Sequence, residues 1–239
     1  MNLVKRLALV ISIVFVASLA LAAATVAASG GLTPGVYTFT NKDASAFFGS
    51  GKGGPPTQAF SVSVDRGLNT FRPRDPKGPR TVMNNTIVTL SLFDALGNAT
   101  FGCFIINPAD FTVSKNLQSA RVHTTLTADE VCPGFGTPVT GKSDPNPIPG
   151  GGGTGLPLPI ALDVRWTGLG VISTSTDRNT FQCLDYSTQF SSSNQSTNAN
   201  ASGTMSAISG PLDTSSATVS SSDTHANVKG TPAAACFPQ

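Results

Sequence analysis

One periodicity constrains what this chain folds into. Apolar and polar side chains alternate through nearly every segment, and the three-to-four-residue recurrence of an amphipathic helix is missing after the N-terminal stretch. Residues 160–167 are the clearest case: Ile160, Leu162, Val164 and Trp166 fall on one side, and Ala161, Asp163, Arg165 and Thr167 on the other. Such a segment has one buried and one wet face, which is the pattern of a half-buried antiparallel strand. Val88, Leu90 and Leu92 keep the same period, as do Ala120, Val122, Thr124 and Leu126. Further strands are predicted over 36–40, 59–64, 100–106, 111–114 and 180–190, with weaker ones over 197–207, 217–222 and 225–229. Asp65-Arg66-Gly67, Gly97-Asn98, Asn107-Pro108 and Ser209-Gly210-Pro211 read as the turns between them. Many short strands at this spacing predict an all-β fold, an antiparallel β-sandwich or β-barrel.

The chain begins with Lys5 and Arg6, continues through an apolar stretch to Ala28, and offers small residues for cleavage at Ala22-Ala23-Ala24 and Val26-Ala27-Ala28. That layout predicts a signal peptide over 1–29, with an uncleaved membrane anchor as the alternative, and a secreted or cell-surface protein in either case. Residues 30–239 then form a single β domain. Removing 1–29 takes two of the 15 bases and none of the 13 acids, so the remainder is formally neutral. No nucleic-acid partner is implied by charge, and the membrane is a partner only through an uncleaved N-terminus. Four cysteines in an exported chain favour disulfides, and nearest-neighbour pairing joins Cys103 to Cys132 and Cys183 to Cys236. No C-x-x-C occurs and the two histidines, His123 and His225, lie far apart, so no metal site is expected.

Two segments interrupt the alternation. Residues 72–80 read RPRDPKGPR, a stiff solvated loop in which Arg72, Arg74, Lys77 and Arg80 form a candidate anion-binding patch. Residues 133–158 are Gly/Pro-rich and are read as a flexible insertion within the domain. That insertion contains GTPVTGKS at 136–143, which fits the phosphate-loop pattern G-x-x-x-x-G-K-[ST] at every position. A phosphate loop needs a strand before it and a helix after it, whereas Lys142-Ser143 runs into DPNPIPGGGG. No nucleotide and no other cofactor is therefore expected, despite the match from Gly136 to Ser143.

Catalytic sets are equally scarce. There is no G-x-S-x-G. His123 shares a polar strand face with Arg121 and Thr125, and His225 sits near Asp223 in a turn-like stretch. Glu130 is the one glutamate, and the aspartates are read as scattered mainly in turns. Trp166 has the phase of Ile160 and Val164 and belongs in the core, not on a sugar-stacking surface. Half of the residues over 187–224 are Ser or Thr, and the alternation of Thr197, Ala199, Ala201 and Gly203 is read as polar, exposed strand. Asn84, Asn98, Asn194 and Asn200 head glycosylation sequons.

Three stretches carry a resemblance: ADFTVSKNLQSARVHTTL at 109–126, LDVRWTGLG at 162–170 and ANASGTM at 199–205. In this order they resemble a group of uncharacterised secreted bacterial all-β proteins with a similar W-T-G-x-G strand motif. The resemblance implies one β domain in which the Gly/Pro segment is an insertion, and it implies no activity. The sequence thus leads to a secreted or cell-surface β domain that acts on an extracellular macromolecule or surface by binding or by surface structure, without an identified catalytic residue. Two other readings are a secreted hydrolase with an aspartate-based site and a barrel carrying a small apolar ligand.

Overall fold

The structure, a computed structural model, describes residues 32–49, 59–74, 77–93, 99–132, 156–208 and 213–231. The expected signal over 1–29, the string at 136–143, the Gly/Pro segment up to residue 155, Asn98 and Cys236 lie outside the described residues.

Ten strands form one sheet: β1 (Gly35–Gly49), β2 (Ala59–Pro73), β3 (Thr81–Phe93), β4 (Ala99–Ile106), β5 (Phe111–Val113), β6 (Ser119–Leu126), β7 (Ile160–Gly168), β8 (Ser173–Cys183), β9 (Tyr186–Met205) and β10 (Asp213–Lys229). Every pairing between them is antiparallel, and the order is β4-β3-β2-β1-β10-β9-β7-β6-β5, with β8 beside β9 beyond the end of β7. Among the described residues the only helical pieces are the 3-10 turns Pro108–Asp110 and Ala128–Glu130. The all-β antiparallel class expected from the alternation is the one observed. No helix among the described residues is long and apolar enough to cross a membrane.

The sheet coils on itself without closing. The inner face of β1 to β4 presents Ala44, Ala46, Phe48, Phe60, Val62, Val64, Val88, Leu90 and Phe104, and packs against Phe111, Val122, Leu126, Ile160, Leu162, Val164 and Trp166 from β5, β6 and β7. One cluster therefore draws on both ends of the strand order. Burying each of its large side chains contributes about 1.5–3 kcal/mol. Trp166 is 1% exposed, as its phase requires, and its indole N–H donates to the Ser45 carbonyl at 2.9 Å across the core. Small residues let β9 lie close against β7, the strand beside it. At Gly203 a Cβ would run into the Asp163 carbonyl and Val164 on β7. Thr197, Ala199 and Ala201 line this core as well, so the stretch read as polar and exposed is buried on its alternate positions. On the free side of β4, Cys132 is disulfide-bonded to Cys103, its N–H donates to the Cys103 carbonyl, and Val131 bridges to Phe104. Leu156, the first described residue of the Gly/Pro-rich segment, is buried in the same cluster.

Several strands are longer than predicted. Asp65-Arg66-Gly67, read as a turn, is the middle of β2 and pairs with Asp43, Lys42 and Asn41 of β1. The two strands expected over 217–222 and 225–229 are one continuous β10, which places His225 mid-strand and not in a turn. The strand expected over 180–190 is split by a hairpin at Leu184-Asp185, with Leu184 at φ 55°.

The extra length lets the sheet exchange its buried face. On β10, Val219 points into the inner core while Val228, an odd number of residues further along an unbroken register with β9, points the other way. At that far end the outer face is the covered one: Tyr186, Thr188, Ala226 and Val228 are buried there, with Tyr37 stacked on Phe71 at 4.4 Å. The Tyr186 hydroxyl also accepts from the Leu32 N–H at 3.1 Å. Between the two ends the sheet has a zone where neither face is apolar, and the charged residues of β1 and β2 fall in it.

Candidate functional site

At the crossover the two strands carry four ionisable side chains in two register rows. Asp43 stands opposite Asp65 on the outer face, and Lys42 stands opposite Arg66 on the inner face. The phase is set by the alternation on either side. In FSVSVD, Ser61, Ser63 and Asp65 share one face while Phe60, Val62 and Val64 fill the core on the other.

The acidic row is tied into the sheet by its neighbours. Asp65 Oδ2 accepts from the Asn41 side-chain N–H at 2.7 Å, and Asp43 Oδ2 accepts a short hydrogen bond from the Ser220 hydroxyl on β10. Asp43 Oδ1 and Asn41 Oδ1, two residues apart on the same face, are buried without a partner. Burial pushes the Asp65 carboxyl above its ordinary value, with the Asn41 hydrogen bond working against it. Burial also raises the Asp43 carboxyl; the Ser220 hydrogen bond lowers it in part and the charge of Asp65 raises it further. Two facing carboxyls in a half-buried setting disfavour two simultaneous negative charges. Gly67, beside Asp65, pairs with Asn41 and Asn85, and a Cβ there would lie 3.0 Å from Asn85 Oδ1 and 3.9 Å from Asn41 Oδ1. A side chain at this position would crowd the Asn85 amide oxygen.

A second cluster behaves differently. Arg121 grips Asp163 through Nε and Nη2 at 3.0 and 2.8 Å, with His123 Nδ1 at 3.4 Å and Arg165 Nε at 3.9 Å. The Arg121 hydrogen bonds hold the Asp163 carboxyl below its ordinary value. A carboxylate clamped in its charged form is a poor proton carrier, so this group is a surface ion-pair set. His123 is exposed, as its strand face implied.

The other sequence candidates stand apart from the acidic pair. Arg72, Arg74, Lys77 and Arg80 are exposed around the β2–β3 connection, where Arg74 Nη2 donates to Asn227 Oδ1 at 3.1 Å. The Cys103–Cys132 disulfide is formed. Cys183 is not a free thiol, and its expected partner Cys236 lies outside the described residues. Tyr186 is buried and presents no sugar-stacking face. Among the described residues no group of three or more His, Cys, Asp and Glu is placed to hold a metal ion. The best grooves that they line are open: one of about 240 Å³ beside Leu169 and Val171, and one of about 300 Å³ between Arg178 and His225.

Sequence reading missed the acidic pair because it treated Asp-Arg-Gly as a turn and ended β1 at residue 40. The available signal was phase, since Asp65 continues the Ser61, Ser63 series across the supposed turn.

Neither a family model nor a curated protein matches the chain. Among solved structures it is similar to the enduracididine biosynthesis enzyme MppR in complex with a condensation product of pyruvate and imidazole 4-carboxaldehyde, at 10% identity and TM-score 0.31, over 82% of this chain and 88% of that one. It is also similar to an acetoacetate decarboxylase-like enzyme from Sphingomonas wittichii RW1, at 9% identity and TM-score 0.27, over 84% and 95% of the two chains. Likeness at this level says nothing about a reaction here. The expectation of a domain acting only by binding or surface structure, with no catalytic residue, is corrected by the structure itself. The structure supplies the physical reason: two of the aspartates read as dispersed in turns face each other on one sheet.

Proposed function

We propose that this chain is an exported hydrolase whose Asp43–Asp65 pair carries out acid–base chemistry on a hydroxyl-rich substrate, a glycoside being the case that its spacing fits. The observation that carries the reading is the pairing of two carboxylates, both raised above their ordinary value, directly across β1 and β2. Carboxyls raised in this way are suited to moving protons.

The two environments divide the roles. Asp43, raised by burial and then further by the charge of its partner, is the group that carries the proton. Asp65, whose charged form accepts from the Asn41 N–H, is assigned the charged role. Asp43 then protonates the leaving-group oxygen, and Asp65 attacks the sugar carbon or activates water. Directly opposed residues on antiparallel strands hold their Cβ atoms about 4.5–5.5 Å apart. Carboxyls carried on neighbouring strands in this way can both reach one glycosidic bond, as double displacement with retained configuration requires. Asn41, Asn69, Asn85 and Ser222 lie on the same face and supply amide and hydroxyl groups for substrate hydroxyls. Export is supported by the base-then-apolar-then-small layout of residues 1–29.

A panel of chromogenic aryl glycosides tests this directly. Turnover is expected, with Asp43→Asn and Asp65→Asn each lowering it by about 10²–10⁴-fold, the usual worth of a positioned acid or base. Turnover that survives both substitutions, or none by the native protein across the panel, overturns the reading.

A further inference from the structure

The inner-face row at the same crossover is not used by the proposed chemistry. Lys42 and Arg66 face each other directly across β1 and β2, and Arg66 is next to Thr86 on β3. Like charges directly opposite on a sheet repel. Neither base has a carboxylate within 4.0 Å among the described residues; Lys42 Nζ reaches only the Val113 carbonyl, at 3.5 Å. Thr86 is completely buried, and its Oγ1 has no hydrogen-bond partner. One row thus holds two half-buried bases without a counter-ion and a buried hydroxyl without a partner. Both departures from ordinary sheet design lie within neighbouring strands about 4.8 Å apart.

We propose that Lys42, Arg66 and Thr86 form a binding site for a tetrahedral oxyanion, a phosphate or sulfate group. Such a group accepts from the ammonium, from the planar guanidinium fork and from the hydroxyl at once, and it cancels the repulsion between the two bases. The acids nearby do not fill this role. Asp110, on the 3-10 turn packed against β3, accepts from the Thr124 hydroxyl at 3.2 Å, and Asp223 is exposed further along the inner face. Asp43 and Asp65 lie across the sheet on the opposite face. The site is independent of the reaction assigned to the outer face. It also differs from the exposed bases of the β2–β3 connection, because it has a buried floor.

Calorimetric titration of the full chain with inorganic phosphate, inorganic sulfate and a sugar phosphate tests the assignment. Saturable binding is expected, weakened at least fivefold by Arg66→Gln and by Lys42→Gln. Thr86→Val, which keeps the shape and removes the hydroxyl, is expected to weaken it as well. Tighter binding of the sugar phosphate than of free phosphate identifies the group as one carried on a larger molecule; equal binding identifies the free anion. If Arg66→Gln does not fold, as seen by circular dichroism, the comparison rests on Lys42→Gln and Thr86→Val. Absence of saturable binding overturns the proposal. So does binding that survives these substitutions but is lost when Arg72, Arg74, Lys77 and Arg80 are replaced by Ala.

Discussion

Asp43, Asp65 and Asp163 are chemically identical side chains that their surroundings drive in opposite directions. Folding raises the carboxyls of Asp43 and Asp65 above the ordinary 3.8, so between that value and the raised ones the folded state holds protons that the unfolded state has lost. Their stabilisation is complete below 3.8 and disappears as pH rises through the folded values. Asp163 has the reverse sign: its lowered carboxyl stabilises the fold above 3.8 and stops doing so as pH falls through the folded value. Thermal unfolding followed from about pH 3 to 8 is expected to separate the two. Asp65→Asn should flatten the decline on the rising side and leave the neutral-pH midpoint unchanged or higher, whereas Asp163→Asn should remove part of the loss on the acid side. A fall in the neutral-pH midpoint on Asp65→Asn would mean that the carboxylate is structural. Stability that improves while turnover collapses is the signature expected of a site kept for chemistry.

Strand length is where the sequence misled, and the reason is physical. Alternation reports which face is buried, and on β1, β2, β9 and β10 the buried face changes partway along the strand. The apolar series therefore breaks off even though the backbone continues. Val219 and Val228 are out of phase on one unbroken strand, so they read as two short strands with a turn between them. Around residues 41–43 and 65–67, where neither face is apolar, local polarity and a glycine imitate a turn. What was legible was the set of strands with one core face: β6 and β7, with Trp166, appear where the alternation placed them. The site was illegible because it occupies the zone that has no alternation to read. The small residues of β9 follow the same logic, since Ser/Thr/Ala composition suggests exposure while close approach of two strands requires it. Gly203→Ala is accordingly expected to cost about 1–3 kcal/mol, because the added methyl meets β7 backbone that cannot move aside. Chemical denaturation measures this, and a neutral effect would show that the strands do not approach so closely. In hydrogen exchange, β8, paired only to β9 among the described residues and exposed at all but its last residue, should exchange faster than residues 199–205 of the same sheet.

The molecule as a whole is a coiled sheet whose ends, β4 and β5, meet without hydrogen-bonding into a barrel. The Cys103–Cys132 disulfide holds the chain after β6 against the free side of β4, closing a loop of sequence separation 29. A loop of that size contributes about 3–4 kcal/mol in the chain-entropy account, so the Cys103→Ser/Cys132→Ser double variant should unfold at markedly lower denaturant. Non-reducing peptide mapping should recover the 103–132 link in the native protein. The same coiling buries the inner face of β1 to β4 and leaves their outer face at the crossover for Asp43 and Asp65. The central claim is that this architecture sets two carboxyls opposite each other and raises both above their ordinary value. A carbon-13 NMR titration of the aspartate carboxyls measures this most directly. The account predicts that Asp43 and Asp65 both titrate above 3.8, and that Asp43 moves back toward that value in the Asp65→Asn protein. Titration of both carboxyls at or below the ordinary value, with Asp43 indifferent to the loss of Asp65, would contradict it.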